Sequence, residues 1–142
     1  WLANPSTALN SILLMTVWIG LGYNMVVYLA GLQNIPRELY EAAEIDGANG
    51  TAKFLHVTLP SLSHTTFFLL VTTIINSFQV FSPINIMTQG GPARSTTVLV
   101  YYMYLLAFRY HKMGSASAVA WVLFGMVFVV TILQFKRQEK KI

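Results

Sequence analysis

Cysteine is absent from this 142-residue chain, so it has neither a disulfide framework nor a thiolate metal site. Charge is scarce too. Only 10% of residues are Asp, Glu, Lys or Arg, against roughly 25% in an ordinary soluble domain, and a soluble core of this length needs far more polar surface. Acidic residues are the rarest, with five against nine basic ones. The scarcity is also local: no charged side chain occurs from Trp1 to Pro36, from Phe54 to Ala93 or from Met113 to Phe135. Crossing roughly 30 Å of hydrocarbon takes about 20 apolar residues, and each run is long enough. With 55% hydrophobic residues, the chain reads as an all-α polytopic membrane protein embedded in lipid. The net charge of +4 does not point to nucleic acid, because the basic residues are scattered and those of the tail flank a span.

Three spans follow from the uncharged runs. The first is expected near Ala8–Leu32 and ends at the polar insertion Gln33-Asn34-Ile35-Pro36. The second is expected near Ser63–Phe81, between Pro60 and Pro83, and the third near Ser115–Phe135, closed by the basic tail Lys136–Lys141. The aromatic segment Thr97–Tyr110 has only 14 uncharged residues between Arg94 and Arg109, which suits a re-entrant or interfacial helix better than a span. Charge counting agrees. With three spans, the 33–62 loop and the tail share one side and hold six Lys and Arg, against three in the 83–114 loop. With four spans the split becomes five against four. The positive-inside rule therefore favours three spans, with the 33–62 loop and the C-terminus cytoplasmic and the 83–114 segment on the outer side. The chain starts at Trp rather than Met and shows no signal peptide, so it is taken as the C-terminal part of a longer transmembrane domain.

Against this background the stretch EAAEIDGA, Glu41–Ala48, stands out. Four of the five acidic residues, Glu38, Glu41, Glu44 and Asp46, fall within nine positions. Helix punctuation surrounds them. Asn34 and Pro36 suit a helix start, early glutamates suit its positive end, and Gly47 can take the left-handed conformation that closes it. Leu39, Ala42 and Ala43 are expected on one face, with Glu38, Glu41 and Glu44 opposite. A second short helix is expected to begin at Asn49 or Thr51 and to end before Pro60, making a helix–turn–helix. A surface helix resting on anionic lipid normally carries Lys and Arg on its polar face. This face is acidic, which favours a protein partner.

The run Glu38-Leu-Tyr-Glu41-Ala42-Ala43-Glu-Ile-Asp46-Gly47-Ala48, followed by Phe54 and Val57-Thr-Leu59-Pro60, resembles the EAA loop of binding-protein-dependent ABC transporter permeases. Gly90-Gly91-Pro92, Ser95-Thr96-Thr97, Tyr102-Met-Tyr104, Ala107-Phe108 and Gly114–Ala118 resemble the carbohydrate-uptake branch, that of maltose and glycerol-phosphate permeases. The likeness covers most of the chain from about Thr16 onward. It implies a subunit of the bacterial inner membrane that moves a sugar or related polyol. Its loop would couple to ATPase subunits through Glu41, Ala42, Ala43, Asp46, Gly47, Leu59 and Pro60. A second permease subunit and an external substrate-binding protein would complete the transporter. The chain itself would bind no cofactor, with ATP and Mg held by the partner ATPase.

No catalysis is suggested by the residues themselves. Gly47–Lys53 lacks the Gly-Lys-Ser/Thr ending of a phosphate loop, and His56, His64 and His111 lack metal-ligand spacing. Asn49-Gly-Thr51 matches a glycosylation sequon that a cytoplasmic loop would leave bare. Polar residues inside spans carry more information, because unpaired polar groups in hydrocarbon are costly. Thr16, Gly20 and Tyr23 recur at helical spacing on the first span, as do Thr72, Asn76 and Gln79 on the second. Two readings stand side by side: interhelical hydrogen bonding, or the lining of a sugar path. Ser117, Trp121 and Gly125 on the third span read as packing. An ion-coupled secondary transporter would need an ionisable residue within a span, and these three spans contain no Asp, Glu, Lys or Arg. A non-transporting scaffold would use the acidic loop only for attachment.

Overall fold

The computed structural model describes residues 1–139. Lys140 and Lys141 of the basic tail, on which part of the charge count rests, lie outside the described residues. Every regular element among the described residues is helical. Three segments, Pro5–Gln33, Ser63–Met87 and Met113–Gln138, are long and apolar enough to cross a membrane. Helix α1 covers Pro5–Gln33 and α8 covers Met113–Glu139. At 1.5 Å per residue they measure roughly 43 and 40 Å, enough to cross hydrocarbon and reach the headgroups.

The middle span differs from the sequence expectation. Helix α5 covers Ser63–Phe78, the chain loses helical form over Gln79–Phe81, and α6 resumes at Ser82–Met87. Pro83 accounts for the break. It has no N–H for the Gln79 carbonyl, and its ring would crowd that carbonyl in a continuous helix. It sits instead in the first turn of α6, where a missing N–H costs nothing. At roughly 24 Å, α5 alone falls short of the hydrocarbon thickness. The stretch between the second and third spans holds α7, Leu99–Tyr104, continued by a π-helical turn, Leu105–Arg109. Its 11 residues reach about 16 Å and cannot span.

The chain divides into two compact units, Ile19–Leu70 and the combination of Trp1–Trp18 with Val71–Ile142. In the first unit, the end of α1 meets the start of α5 at Gly31. A Cβ there would lie 2.8 Å from Thr65 Oγ1 and 3.1 Å from Leu62 Cδ2. Only glycine permits this approach, the small-residue packing that lets membrane helices touch. Tyr28 Oη donates to Thr66 Oγ1 at 3.3 Å across the same junction. In the second unit, Ile12, Ile84 and Tyr101 are almost fully buried and are packed round by Val80, Phe81, Val98, Tyr104 and Leu105. A smaller cluster, Leu106, Ala107 and Ala116, joins the π-turn to α8.

Little else is covered. Trp18, Trp121, Phe124 and Phe128 stand in the open on the long helices, an arrangement that suits lipid or further helices rather than water. In α8 both amide atoms of Gln134 are buried without a hydrogen-bond partner among the described residues.

Candidate functional site

The acidic loop folds as two short helices joined by a tight turn. Helix α2 spans Arg37–Ile45 behind Pro36, with Glu38 in its first turn. Its end is a Schellman arrangement: Ala48 N–H donates to Ala43 O and Gly47 N–H to Glu44 O, both at 2.9 Å. This geometry requires the residue after the cap to be left-handed, and Gly47 has φ +77°. Asn49 then caps α3, Gly50–Lys53, by accepting from Ala52 N–H at 2.9 Å. Its side chain serves as helix punctuation within the sequon noted above.

The second helix does not stop before Pro60, as expected from the sequence. It runs on through a π-turn, Phe54–Thr58, into α4, Leu59–Ser61. Leu59 N–H reaches back five residues to Phe54 O. A widened turn of this kind gives a proline room inside a helix, because the ladder is already displaced from the i→i−4 pattern. Leu59 and Pro60 are exposed at its end, and Leu62 alone separates α4 from α5.

The two helices are tied together by side chains. Tyr40 Oη and Thr58 Oγ1 lie 2.9 Å apart, with Thr58 buried. Glu44 pairs with Lys53. This changes the expected division of α2 into faces. Tyr40 and Ala43 are half-buried and Glu44 is committed to Lys53, so these three turn toward the second helix. Leu39, Ala42 and Ile45 stay exposed beside Glu38 and Glu41. The free surface of α2 is therefore mixed, apolar side chains flanked by two carboxylates, rather than purely acidic. Glu38, Glu41 and Asp46 form no ion pair among the described residues. Tyr40 and Lys53 were not singled out from sequence. Their partners lie 18 and nine residues away, and nothing local marks such pairings.

The polar stripes are only partly kept. Thr16 spends its hydroxyl on the Ile12 carbonyl one turn back, the usual way a threonine satisfies itself inside a helix. Gly20 and Tyr23 lie further along α1, with Tyr23 exposed. On α5, Thr72 and Asn76 share one face, and Asn76 is exposed. Gln79 lies beyond the helix end, in the turn where its N–H bonds to Asn76 O at 3.1 Å. The expected three-residue stripe thus shortens to Thr72 and Asn76, with Gln79 presented by irregular backbone.

No group of three His, Asp or Glu residues is placed to hold a metal among the described residues. His56 Nδ1 lies 3.0 Å from Ala52 O, and Lys53 is held by Glu44 rather than facing a phosphate loop.

Residues 1–139 match the family model described as "Binding-protein-dependent transport system inner membrane component". The chain is 42% identical over 138 residues to the probable ABC transporter permease protein YesP of Bacillus subtilis (strain 168), covering 96% of this chain and 44% of that protein. It is 42% identical over 142 residues to the sn-glycerol-3-phosphate transport system permease protein UgpA of Rhizobium meliloti (strain 1021), covering 99% and 48%. It is 41% identical over 138 residues to the lactose transport system permease protein LacF of Rhizobium radiobacter, covering 95% and 46%. The chain spans about half the length of the curated relatives it matches. With a match along nearly its whole length, the chain belongs to the family of binding-protein-dependent transport system inner membrane components.

Proposed function

We propose that this chain is part of the membrane-spanning permease of an ATP-driven importer for a sugar or related polyol compound. The observation that carries the reading is the tied helix pair at residues 37–61, whose α2 presents Leu39, Ala42 and Ile45 beside Glu38 and Glu41. A surface of apolar side chains with a carboxylate rim fits a cleft lined by apolar and basic groups on a separate ATPase. ATP and Mg would be held there, and closure of the ATPases would push this rigid pair and reorient the spans. The chain's similarity to permeases named for lactose and sn-glycerol-3-phosphate supports a hydroxyl-rich substrate. A second permease subunit and an external binding protein complete the assembly in this reading.

The direct test uses the full-length permease reconstituted with its ATPase, second permease and binding protein. Glu41→Lys reverses a charge at the rim without disturbing the Glu44–Lys53 pair. ATPase co-purification and substrate-stimulated hydrolysis should fall at least severalfold while membrane insertion persists, since mispaired interface charges are costly. Unchanged coupling in this variant would sink the docking role.

The substrate path is proposed to include Thr72, Asn76 and Gln79, together with Thr16, Gly20 and Tyr23. Asn76 and Gln79 each carry donor and acceptor groups, which suits sugar hydroxyls of either sense. Losing one uncharged hydrogen bond is worth about 1 kcal/mol. Asn76→Ala or Gln79→Ala should therefore lower uptake severalfold or shift sugar preference, with ATPase binding intact. Normal uptake combined with weaker assembly would assign these residues to helix packing instead.

Orientation can be read with single cysteines, because the chain has none of its own. Thr51, Ala93 and His111 are all exposed and accept a probe. Cysteine at 51 should react only from the cytoplasm, and cysteines at 93 and 111 only from outside. Labelling of 93 and 111 from opposite faces would mean that Leu99–Arg109 crosses the membrane.

A further inference from the structure

A cavity of about 630 Å³ lies within the 89–112 segment. Arg94, Arg109 and Lys112 line it, together with Tyr101, Tyr102 and Tyr110. No Asp or Glu occurs between Asp46 and Glu139, so the 89–112 segment contributes no carboxylate of its own. None of them forms an ion pair among the described residues.

The backbone brings them together by unusual means. Arg94 and its neighbour Ala93 both take left-handed conformations, φ +62° and +48°, which L-residues with side chains adopt reluctantly. The turn that holds them is pinned from both sides. Ser95 N–H donates to Pro92 O at 2.9 Å, and Thr96 Oγ1 donates to Gly91 O at 2.8 Å. Arg109 ends the π-turn, after which His111 reverses the chain at φ +54°. Lys112 N–H then bonds back to Leu106 O at 2.8 Å, and Lys112 lines the same cavity as Arg109. Backbone strain held in place by surrounding bonds is a mark of ligand clamps.

We infer that this cavity binds a phosphate ester. Like charges lining one cavity with no ion-pair partner among the described residues raise the local concentration of anions, and guanidinium groups bind phosphate oxygens in pairs. A tetrahedral phosphate offers enough acceptors for the guanidinium, ammonium and tyrosine donors together, whereas a carboxylate offers two oxygens. The cavity is also far larger than phosphate alone, leaving room for an organic body against Tyr101, Tyr102 and Leu106. A lipid headgroup and a soluble phosphate share this chemistry, and the placement of three tyrosines on a short non-spanning helix and its end suits the headgroup layer.

The test uses purified full-length permease in phosphate-free maltoside micelles. One arm measures binding of radiolabelled orthophosphate by equilibrium dialysis. The other counts bound dioleoylphosphatidylglycerol by native mass spectrometry. At least one probe should bind with unit stoichiometry and weaken with rising salt. The double variant Arg94→Gln, Arg109→Gln should lose roughly tenfold or more in affinity. Arg94→Lys with Arg109→Lys keeps the charge and should retain intermediate binding, which separates a lost ligand contact from a lost fold. Binding of both probes supports the site and makes soluble phosphate a ligand. Binding of the lipid alone supports it with a headgroup as ligand. If neither probe binds, or if wild-type, Lys and Gln proteins bind equally, the site is refuted.

Discussion

Gly47→Val is expected to uncouple transport from ATP hydrolysis and to lower uptake by tenfold or more. Gly47 closes α2 with φ +77° and donates to Glu44 O while Ala48 donates to Ala43 O. A Cβ at this position would meet nothing within 4 Å, so crowding plays no part. The cost is conformational: the left-handed region penalises an L side chain by roughly 1–2 kcal/mol, and a β-branched one more. The turn is what sets α3 against α2, so relaxing it would pull apart the Tyr40–Thr58 and Glu44–Lys53 ties that make the pair rigid. Gly47→Asn supplies the control, since asparagine visits this region with little penalty. Uptake and substrate-stimulated hydrolysis should survive in Asn and collapse in Val. Equal loss in both would mean that the bare glycine surface, rather than its conformation, is what the partner needs.

The second large effect is expected at Gly90, where conformation and space act together. Its φ is +81°, and a Cβ would sit 2.7 Å from Tyr101 Cε1 and 2.8 Å from Thr97 Oγ1. Neither neighbour can yield easily. Tyr101 is only 2% exposed, packed with Ile12 and Ile84, and Thr97 Oγ1 already donates to Gly90 O at 3.1 Å. Gly90→Ala should therefore cost about 2–5 kcal/mol, the left-handed penalty plus that of overpacking. The reading is a clearly lowered melting temperature of the purified full-length permease. Gly125→Ala provides the comparison, because a Cβ there meets nothing within 4 Å and the residue lies inside α8. It should be neutral or slightly stabilising. A Gly90→Ala protein that melts with the wild type would show that the loop repacks at no cost.

Much of this architecture was legible in the residues alone. Charge-free runs located the three membrane segments, since lipid tolerates no long stretch of charge and a helix must be about 20 residues long to cross it. The reading of Thr97–Tyr110, with only 14 uncharged residues, as too short to span came from the same arithmetic. The clustering of Glu38, Glu41, Glu44 and Asp46 marked the helical loop after the first span, and Gly47 marked its turn, because these signals are local and act within a few residues. What the tertiary structure alone decided were the pairings between distant residues. Tyr40 with Thr58 and Glu44 with Lys53 turned one face of α2 inward and left Leu39, Ala42 and Ile45 free, dividing it differently from an isolated helix wheel. The π-turn at Phe54–Thr58 carried the helix through Pro60, and Pro83 ended α5 before Gln79, two opposite outcomes for proline that depend on whether the preceding ladder widens. The cavity among Arg94, Arg109 and Lys112 needed left-handed residues, Ala93, Arg94 and His111 among them, and a folded-back chain to form. Periodicity and composition register what each residue prefers, and they carry no information on which distant side chain will meet it.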